Sequence, residues 1–359
     1  MSIVYFAVLA VVIALGSAAE TNPKSRLTRK GINIQPDPGA ALIISVVLIL
    51  VSGLRYRVGT DFMAYYRNRV TDLNVVWRSL ITFKEPGIKL LSFLSHGIYD
   101  DGQSLIFLSA LITIGLFCLT IYRNSSMYLI GMLLYLFLGD WQGSFNGVRQ
   151  YLAAAILFAG HRYIFYRDFP RYLAVVLLAA LFHTSAVVMI VPYFFLTRKP
   201  DITQLVILLI GTIILSFSYG LIFRFIGETK GTIMNTSDPY VSNNVKLPRI
   251  LVAFIPVAIY IFLSKKERNT AEQEFYINAM IFNAFAMLAS MGSTYLARIG
   301  IYTGSMLPIG YGYLFQTIQD EKTKKLTLFG VLSIYLFYWI YSLQTWSLNP
   351  FHWIFERSL

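Results

Sequence analysis

The chain has 359 residues, of which 56% are hydrophobic, 16% aromatic and only 13% charged. Soluble domains carry about a quarter charged residues, so a soluble enzyme, a disordered chain and a disulfide scaffold are excluded and a polytopic membrane protein is implied. The net charge of +12 belongs first to Lys- and Arg-rich cytoplasmic loops, and nucleic acid is not expected as a partner.

Apolar runs fall at residues 2–19, 40–54, 103–122, 126–139, 147–165, 172–197, 202–222, 249–264, 274–290, 299–318 and 326–344. Most are long enough for a helix crossing a hydrocarbon core of ~30 Å. The first run ends in GSAAE, which looks like a signal-peptide cleavage site. No basic residue precedes it, however, and Lys24, Arg26, Arg29 and Lys30 follow it. That charge order favours an uncleaved helix with its N-terminus outside. The basic stretches at 20–38, Arg123, Arg162–Arg171, Lys265/Lys266/Arg268 and Lys322/Lys324/Lys325 are then inside. Loops 55–101, 140–147, 223–248 and 291–298 and the C-terminal tail are outside.

With these assignments residues 172–222 cross an odd number of times. The run 172–197 is therefore expected to enter and return as two short helices, Tyr172–Leu181 and Ser185–Leu196, bent at Phe182-His183-Thr184. The competing reading is one long helix, which would put both SKKERN and DEKTKK outside. Irregular backbone at that depth needs cover from protein or water. The expected fold is all-α: one polytopic membrane domain over 1–359, with about twelve segments including the short-helix hairpin. An outer-face basic cavity is expected, with loops 55–101 and 223–248 forming the catalytic face.

Cys118, the single cysteine, sits in the apolar run SALITIGLFCLTIY, and there is no CxxC, HExxH, P-loop or GxGxxG before a strand. No cofactor and no metal are expected. The loop after the second run carries Arg55, Arg57, Arg67, Arg69, Arg78, Lys84 and Lys89 against Asp61, Asp72 and Glu85. Such an excess runs against the usual poverty of outside loops in Lys and Arg. Guanidinium groups grip phosphate oxygens in pairs and stay charged, so the loop suits a lipid phosphate or pyrophosphate. The plainer reading is a solvated loop touching headgroups.

Gly59-Thr60-Asp61 reads as a turn into a short helix carrying Phe62, Tyr65 and Tyr66. Asp61 has three readings there: helix cap, partner of Arg57, or base. Arg149 and Gln150 stand at the outer end of the fifth run, where Arg149 either binds a ligand or snorkels. His183 lies at the expected bend, as a structural group or a general base. Arg298, in SMGSTYLARIGIY, is again at an outer helix end. One such residue means little, but four on one face, Arg57, Arg149, His183 and Arg298, suggest a shared cavity. The loop 223–248, with Tyr240, suits a lid or a sugar contact.

RYRVGTDFMAYY, EPGIKLLSFL, FNGVRQYLAAAILFAGHRYI, ALFHTSAVVMIVPYFF and NPFHWIF occur in this order. In these segments the chain resembles EpsG-type membrane proteins, which include Wzy-like polymerases of exopolysaccharide and O-antigen. The resemblance implies a glycosyltransferase of the bacterial inner membrane, acting on the outer face on undecaprenyl-pyrophosphate-linked glycan as donor and acceptor. It also implies membrane lipid and a chain-length regulator protein as partners. By position, Arg57, Gly59, Thr60, Asp61 and Tyr65 fall on the first motif, with Arg55 beside them. Arg149 and Gln150 fall on the next, and His183 and Ser185 on the third. Arg298 is added by topology alone. The roles expected for them are His183, then Asp61, as base, and Arg57, Arg149 and Arg298 as cations that receive the departing pyrophosphate. A lipid-linked oligosaccharide flippase, an O-antigen ligase and a membrane O-acyltransferase are the competing readings.

Overall fold

Leu-, Ile-, Val- and Ala-rich runs fold almost wholly as α-helix in the computed structural model, which describes residues 2–28, 31–196, 200–229, 247–264, 269–292 and 294–357. The chain divides into two compact units, one formed by residues 1–190 with 327–359 and the other by 191–326.

The first unit contains α1 (Ile3–Thr21), the strands β1 (Lys24–Thr28) and β2 (Gly31–Gln35), and α2 (Pro38–Gly53). Short α3 (Phe62–Arg67) and α4 (Leu73–Ile81) lead to α5 (Pro86–Ile98) and the long α6 (Gly102–Asn124). Then come α7 (Tyr128–Phe137), α8 (Asp140–Gly143), α9 (Val148–Ala159), α10 (Arg162–Phe165) and α11 (Phe169–Phe182). Within the basic stretch 20–38, β1 and β2 pair antiparallel, with Ser25 opposite Ile34 and Leu27 opposite Ile32. The buried residues of α1 are Tyr5, Val8, Val12, Gly16 and Ala19. Their spacing of three and four lays one face of the helix against α2 and α7. The middle of the unit is α6, packed against α2, α5 and α9, while α9 also packs on α11. The run 147–165, expected as one helix, is broken at Gly160, whose missing side chain admits Val175 of α11.

After Phe182 the chain turns back. His183 is extended (φ −151°), and a 3-10 turn, Thr184–Met189, packs on α11. The Tyr172 hydroxyl donates to the Met189 carbonyl at 2.9 Å. In one continuous helix those residues would lie about 25 Å apart, so the reversal expected at Phe182-His183-Thr184 is present. Its returning limb opens as 3-10 helix instead of the expected α-helix. Arg198 and Lys199 lie outside the described residues.

The C-terminal tail is stitched across one end of this unit. Tyr56 N–H donates to the His352 carbonyl (2.8 Å), Ile354 N–H to Leu54 (2.8 Å) and Gly59 N–H to Ser347 (3.1 Å). The segment NPFHWIF therefore acts as a brace for residues 54–60.

The second unit starts one residue into α12 (Ile190–Leu196), which leads to α13 (Ile202–Thr229), α14 (Leu247–Leu263) and α15 (Ala271–Ala289). Short α16 (Thr294–Ala297), α17 (Ile299–Gly304) and α18 (Leu307–Gln316) follow, and α19 (Glu321–Thr345) carries the chain back to the first unit. Here α15 is central, packed against α13, α14, α17 and α18. Its buried amides are satisfied: Asn278 donates to the Phe195 carbonyl (2.8 Å), and Asn283 accepts from Thr303 (2.7 Å). Residues 223–229, expected as loop, continue α13; residues 230–246, including Tyr240, lie outside the described residues.

Three helices are long and apolar enough to cross a membrane, namely α1, α6 and α19, and six shorter apolar helices accompany them among the described residues. Large apolar side chains face outward along α13 and α19, including Ile210, Ile214, Phe217, Phe329 and Phe337. Water would not tolerate so continuous a display, and lipid does.

Candidate active site

Helix α5 begins at Pro86, where a missing N–H costs nothing because the first turn has no acceptor for it. Glu85 precedes it in the left-handed region (φ 51°, ψ 57°), a conformation that costs a non-glycine residue about 1–3 kcal/mol and persists only where its surroundings fix it. Gly87 lets α5 approach α11, since a Cβ there would meet the Leu181 carbonyl at 3.0 Å. That approach sets Glu85 beside the chain reversal that carries His183.

Glu85 then bridges two groups. Its Oε1 lies 2.6 Å from His183 Nδ1, and its Oε2 accepts from Arg149 Nη1. Arg149, in the first turn of α9, also donates Nε–H to the Tyr65 hydroxyl (3.1 Å), with its guanidinium 5.9 Å from the Tyr65 ring centroid. Beneath them lies one apolar cluster of Ile88, Leu91, Leu105 and Leu152, against which Tyr65 and Phe182 pack. Four segments distant in sequence thus meet at one point: the short helix after RVGTD, the EPG turn, the first turn of the helix after FNG and the FHTS bend.

Exposure divides the roles. The Glu85 and His183 side chains are 14% and 15% exposed, whereas Arg149 is 43% exposed. Burial pushes the Glu85 carboxyl up, but the His183 hydrogen bond and the Arg149 charge outweigh it and hold Glu85 below its ordinary 4.5. Glu85 is therefore an acceptor-only carboxylate at neutral pH. A neutral His183 must then carry its proton on Nδ1, which leaves the lone pair on Nε2. Burial raises the Tyr65 phenol above its ordinary range, against the opposing effect of Arg149, so Tyr65 is a neutral hydroxyl. The arrangement offers an oriented base and, beside it, an open guanidinium able to take an anionic oxygen.

The first motif braces this cluster. Gly59 has φ +94°, and a Cβ there would meet the Phe145 carbonyl at 2.9 Å, so glycine alone fits. Thr60 N–H donates to Asn146 Oδ1 (2.8 Å), and Asn146 Nδ2 donates to the Trp346 carbonyl (3.0 Å). Asp61 occupies the N-cap position of α3 but makes no side-chain capping bond; it accepts from the Thr60 hydroxyl at 3.1 Å. Among the described residues no ion pair joins it to Arg57. That exposed arginine has φ 54° and lies 5.3 Å from the Tyr56 ring.

Arg55 has a different place. It is buried, donates to the Ser52 and Phe145 carbonyls, and lies 4.6 Å over the Phe145 ring. It fastens α2 to the loop before α9 and is closed to a phosphate. Gln150 is buried beside Arg149, and Ser185 is exposed just past the bend. Arg298 stands between α16 and α17 in the second unit, while the cluster is built within the first.

Of the expected residues, the structure brings together Arg149, His183 and Tyr65. The residue missed in the sequence is Glu85, which joins them. Its signal was a lone acid before Pro-Gly in a strongly basic loop. Asn146, between Thr60 and the tail, was missed as well, because its partners are backbone groups that no side-chain pattern reveals.

The model of the EpsG family matches residues 40–352, a span that contains every residue of the cluster. No curated protein and no solved structure matches the chain.

Proposed function

The chain belongs to the EpsG family, and from that premise we propose that it polymerises undecaprenyl-pyrophosphate-linked oligosaccharide repeat units into exopolysaccharide or O-antigen. Family and apolar helices together make it a membrane protein with a polysaccharide-polymerase type of role. In the proposal it crosses the bacterial inner membrane about twelve times, with the cluster facing outward. The observation that supports this reading most is Glu85 holding His183 on one oxygen and Arg149 on the other.

The growing chain on its lipid pyrophosphate is the donor, and a hydroxyl of a new lipid-linked unit is the acceptor. His183 Nε2 takes the acceptor proton as the hydroxyl oxygen bonds to the anomeric carbon. The bond from that carbon to the pyrophosphate oxygen breaks, and the lipid pyrophosphate departs with the electron pair. Arg149 meets the charge growing on that leaving group; one preorganised donor of this kind is worth ~3 kcal/mol. Glu85 stabilises the imidazolium formed on His183 and fixes its tautomer, the part a carboxylate plays beside a catalytic histidine elsewhere. Tyr65 holds the guanidinium plane. Arg57 and Arg298 are kept as further pyrophosphate contacts, and Asp61 as the second candidate for base. A chain-length regulator protein remains the proposed partner.

The test is purified protein with lipid-linked repeat units. His183→Ala abolishes the product ladder. Arg149→Lys loses nearly as much as Arg149→Ala, because an ammonium cannot serve Glu85, Tyr65 and a phosphate with one fork. Wild-type ladders from His183→Ala would overturn the assignment.

A further inference from the structure

Beside the first unit's α6 runs a groove that the cluster does not use. Its volume is about 690 Å³, within the range of ~300–1,000 Å³ that holds small organic ligands. Its wall follows α6 from Gln103 and Ser104, through Phe107 and Leu108, to Leu111. At 1.5 Å per residue that descent is about 12 Å. Because α6 is one of the helices long and apolar enough to cross a membrane, the groove leads from a polar helix end into hydrocarbon depth. Of its lining residues, Ile98, Tyr99 and Phe355 expose 65% or more of their surface, an apolar lip that water would disfavour.

The polar end is built. Arg357 Nη1 donates to Asp101 Oδ2 (2.6 Å) and to the Tyr66 hydroxyl. Among the described residues its Nε and Nη2 have no partner and are left for an anionic oxygen. The N-terminus of α6 adds a positive partial charge there. Gln103 lines the same end. It is more than nine-tenths buried, spends its Nε2 on the Gly53 and Arg55 carbonyls, and keeps an unpaired buried Oε1 among the described residues. That oxygen lacks a donor, which a headgroup hydroxyl would supply.

Helix α3 separates this end from the cluster. Tyr65 turns to Arg149, and the next residue, Tyr66, turns to Asp101 and Arg357.

We propose that the groove along α6 is a binding site for an anionic glycerophospholipid of the surrounding bilayer, with its acyl chain along Phe107, Leu108 and Leu111, its phosphate on Arg357 and a headgroup hydroxyl on Gln103. The occupant is a bilayer lipid because the phosphate end lies on the Tyr66 side of α3, away from Arg149. The inference stands on membrane placement and not on the polymerase reading, so binding measurements test it without any activity.

The experiment is native mass spectrometry of the full chain in detergent, titrated with phosphatidylglycerol, phosphatidylcholine or a polyprenyl phosphate, alongside melting curves. One phosphatidylglycerol per chain is expected, bound about tenfold tighter than phosphatidylcholine. Arg357→Gln erases that preference. Leu111→Trp fills the groove without touching the Arg357–Asp101 pair, and lowers retention about tenfold while the lipid-free melting temperature holds. Equal retention of the two phospholipids, or retention unchanged in Leu111→Trp, overturns the proposal. So does displacement of phosphatidylglycerol by equimolar polyprenyl phosphate, which would make the groove a substrate-chain site.

Discussion

Glu85→Gln is the most informative single change. It keeps the shape of the side chain and removes its charge. In the folded protein Glu85 Oε1 faces His183 Nδ1 at 2.6 Å and Oε2 accepts from Arg149. A glutamine amide can present an N–H to Nδ1, which would move the imidazole proton to Nε2 and occupy the lone pair that serves as base. In a serine protease triad, the equivalent loss of the correct tautomer lowers kcat by ~10⁴. General-base contributions of ~10²–10⁴ are usual, so kcat should fall by about that range. Stability should change less. One charge-assisted bond to a shielded carboxylate is worth about 1.5–3 kcal/mol, and the 43% exposure of Arg149 places the pair toward the lower end by solvent screening. The assay is the rate of polymer growth from purified lipid-linked units at saturating substrate, with a melting curve on the same preparation. A folded Glu85→Gln protein polymerising within about threefold of wild type would refute the bridge as the organiser of the site, since the expected loss is at least ~10².

Gly59→Ala should destabilise the first unit by about 1–3 kcal/mol, read as a lowered melting temperature, because it forces a side chain into φ +94° and against the Phe145 carbonyl. Tyr172→Phe should cost about 0.5–1.5 kcal/mol by removing the hydroxyl's bond to the Met189 carbonyl; a neutral result in denaturant melts would count against the tightly packed reversal. Acid should loosen the cluster with a defined sign. Glu85 is held below 4.5 in the folded chain, so its stabilising contribution is complete above about pH 4.5 and is lost as pH falls through the lowered value. In Glu85→Gln that part of the acid loss disappears from melting temperatures measured between neutral pH and about pH 3.

Composition alone determined the class of this protein. Too few charged residues and long apolar runs leave only a helical membrane chain, since buried backbone in lipid must satisfy itself. Charge order in the loops went further and located the turn at Phe182-His183-Thr184, because Lys and Arg distribution constrains how many times the chain crosses. Position at an outer helix end and at the predicted bend singled out Arg149 and His183, and the family resemblance added Tyr65. What these left undecided was which of them meet.

The tertiary structure decided that, for a physical reason. Glu85 is 64 residues from Arg149 and 98 from His183, and no periodicity links positions so far apart. They converge because Gly87 admits α11, and because α9 and α5 both pack on α6. The same packing buried Arg55 under the loop and turned the C-terminal tail into its brace. Neither outcome is written in local propensity, since both depend on which helix surfaces exclude lipid or water from one another.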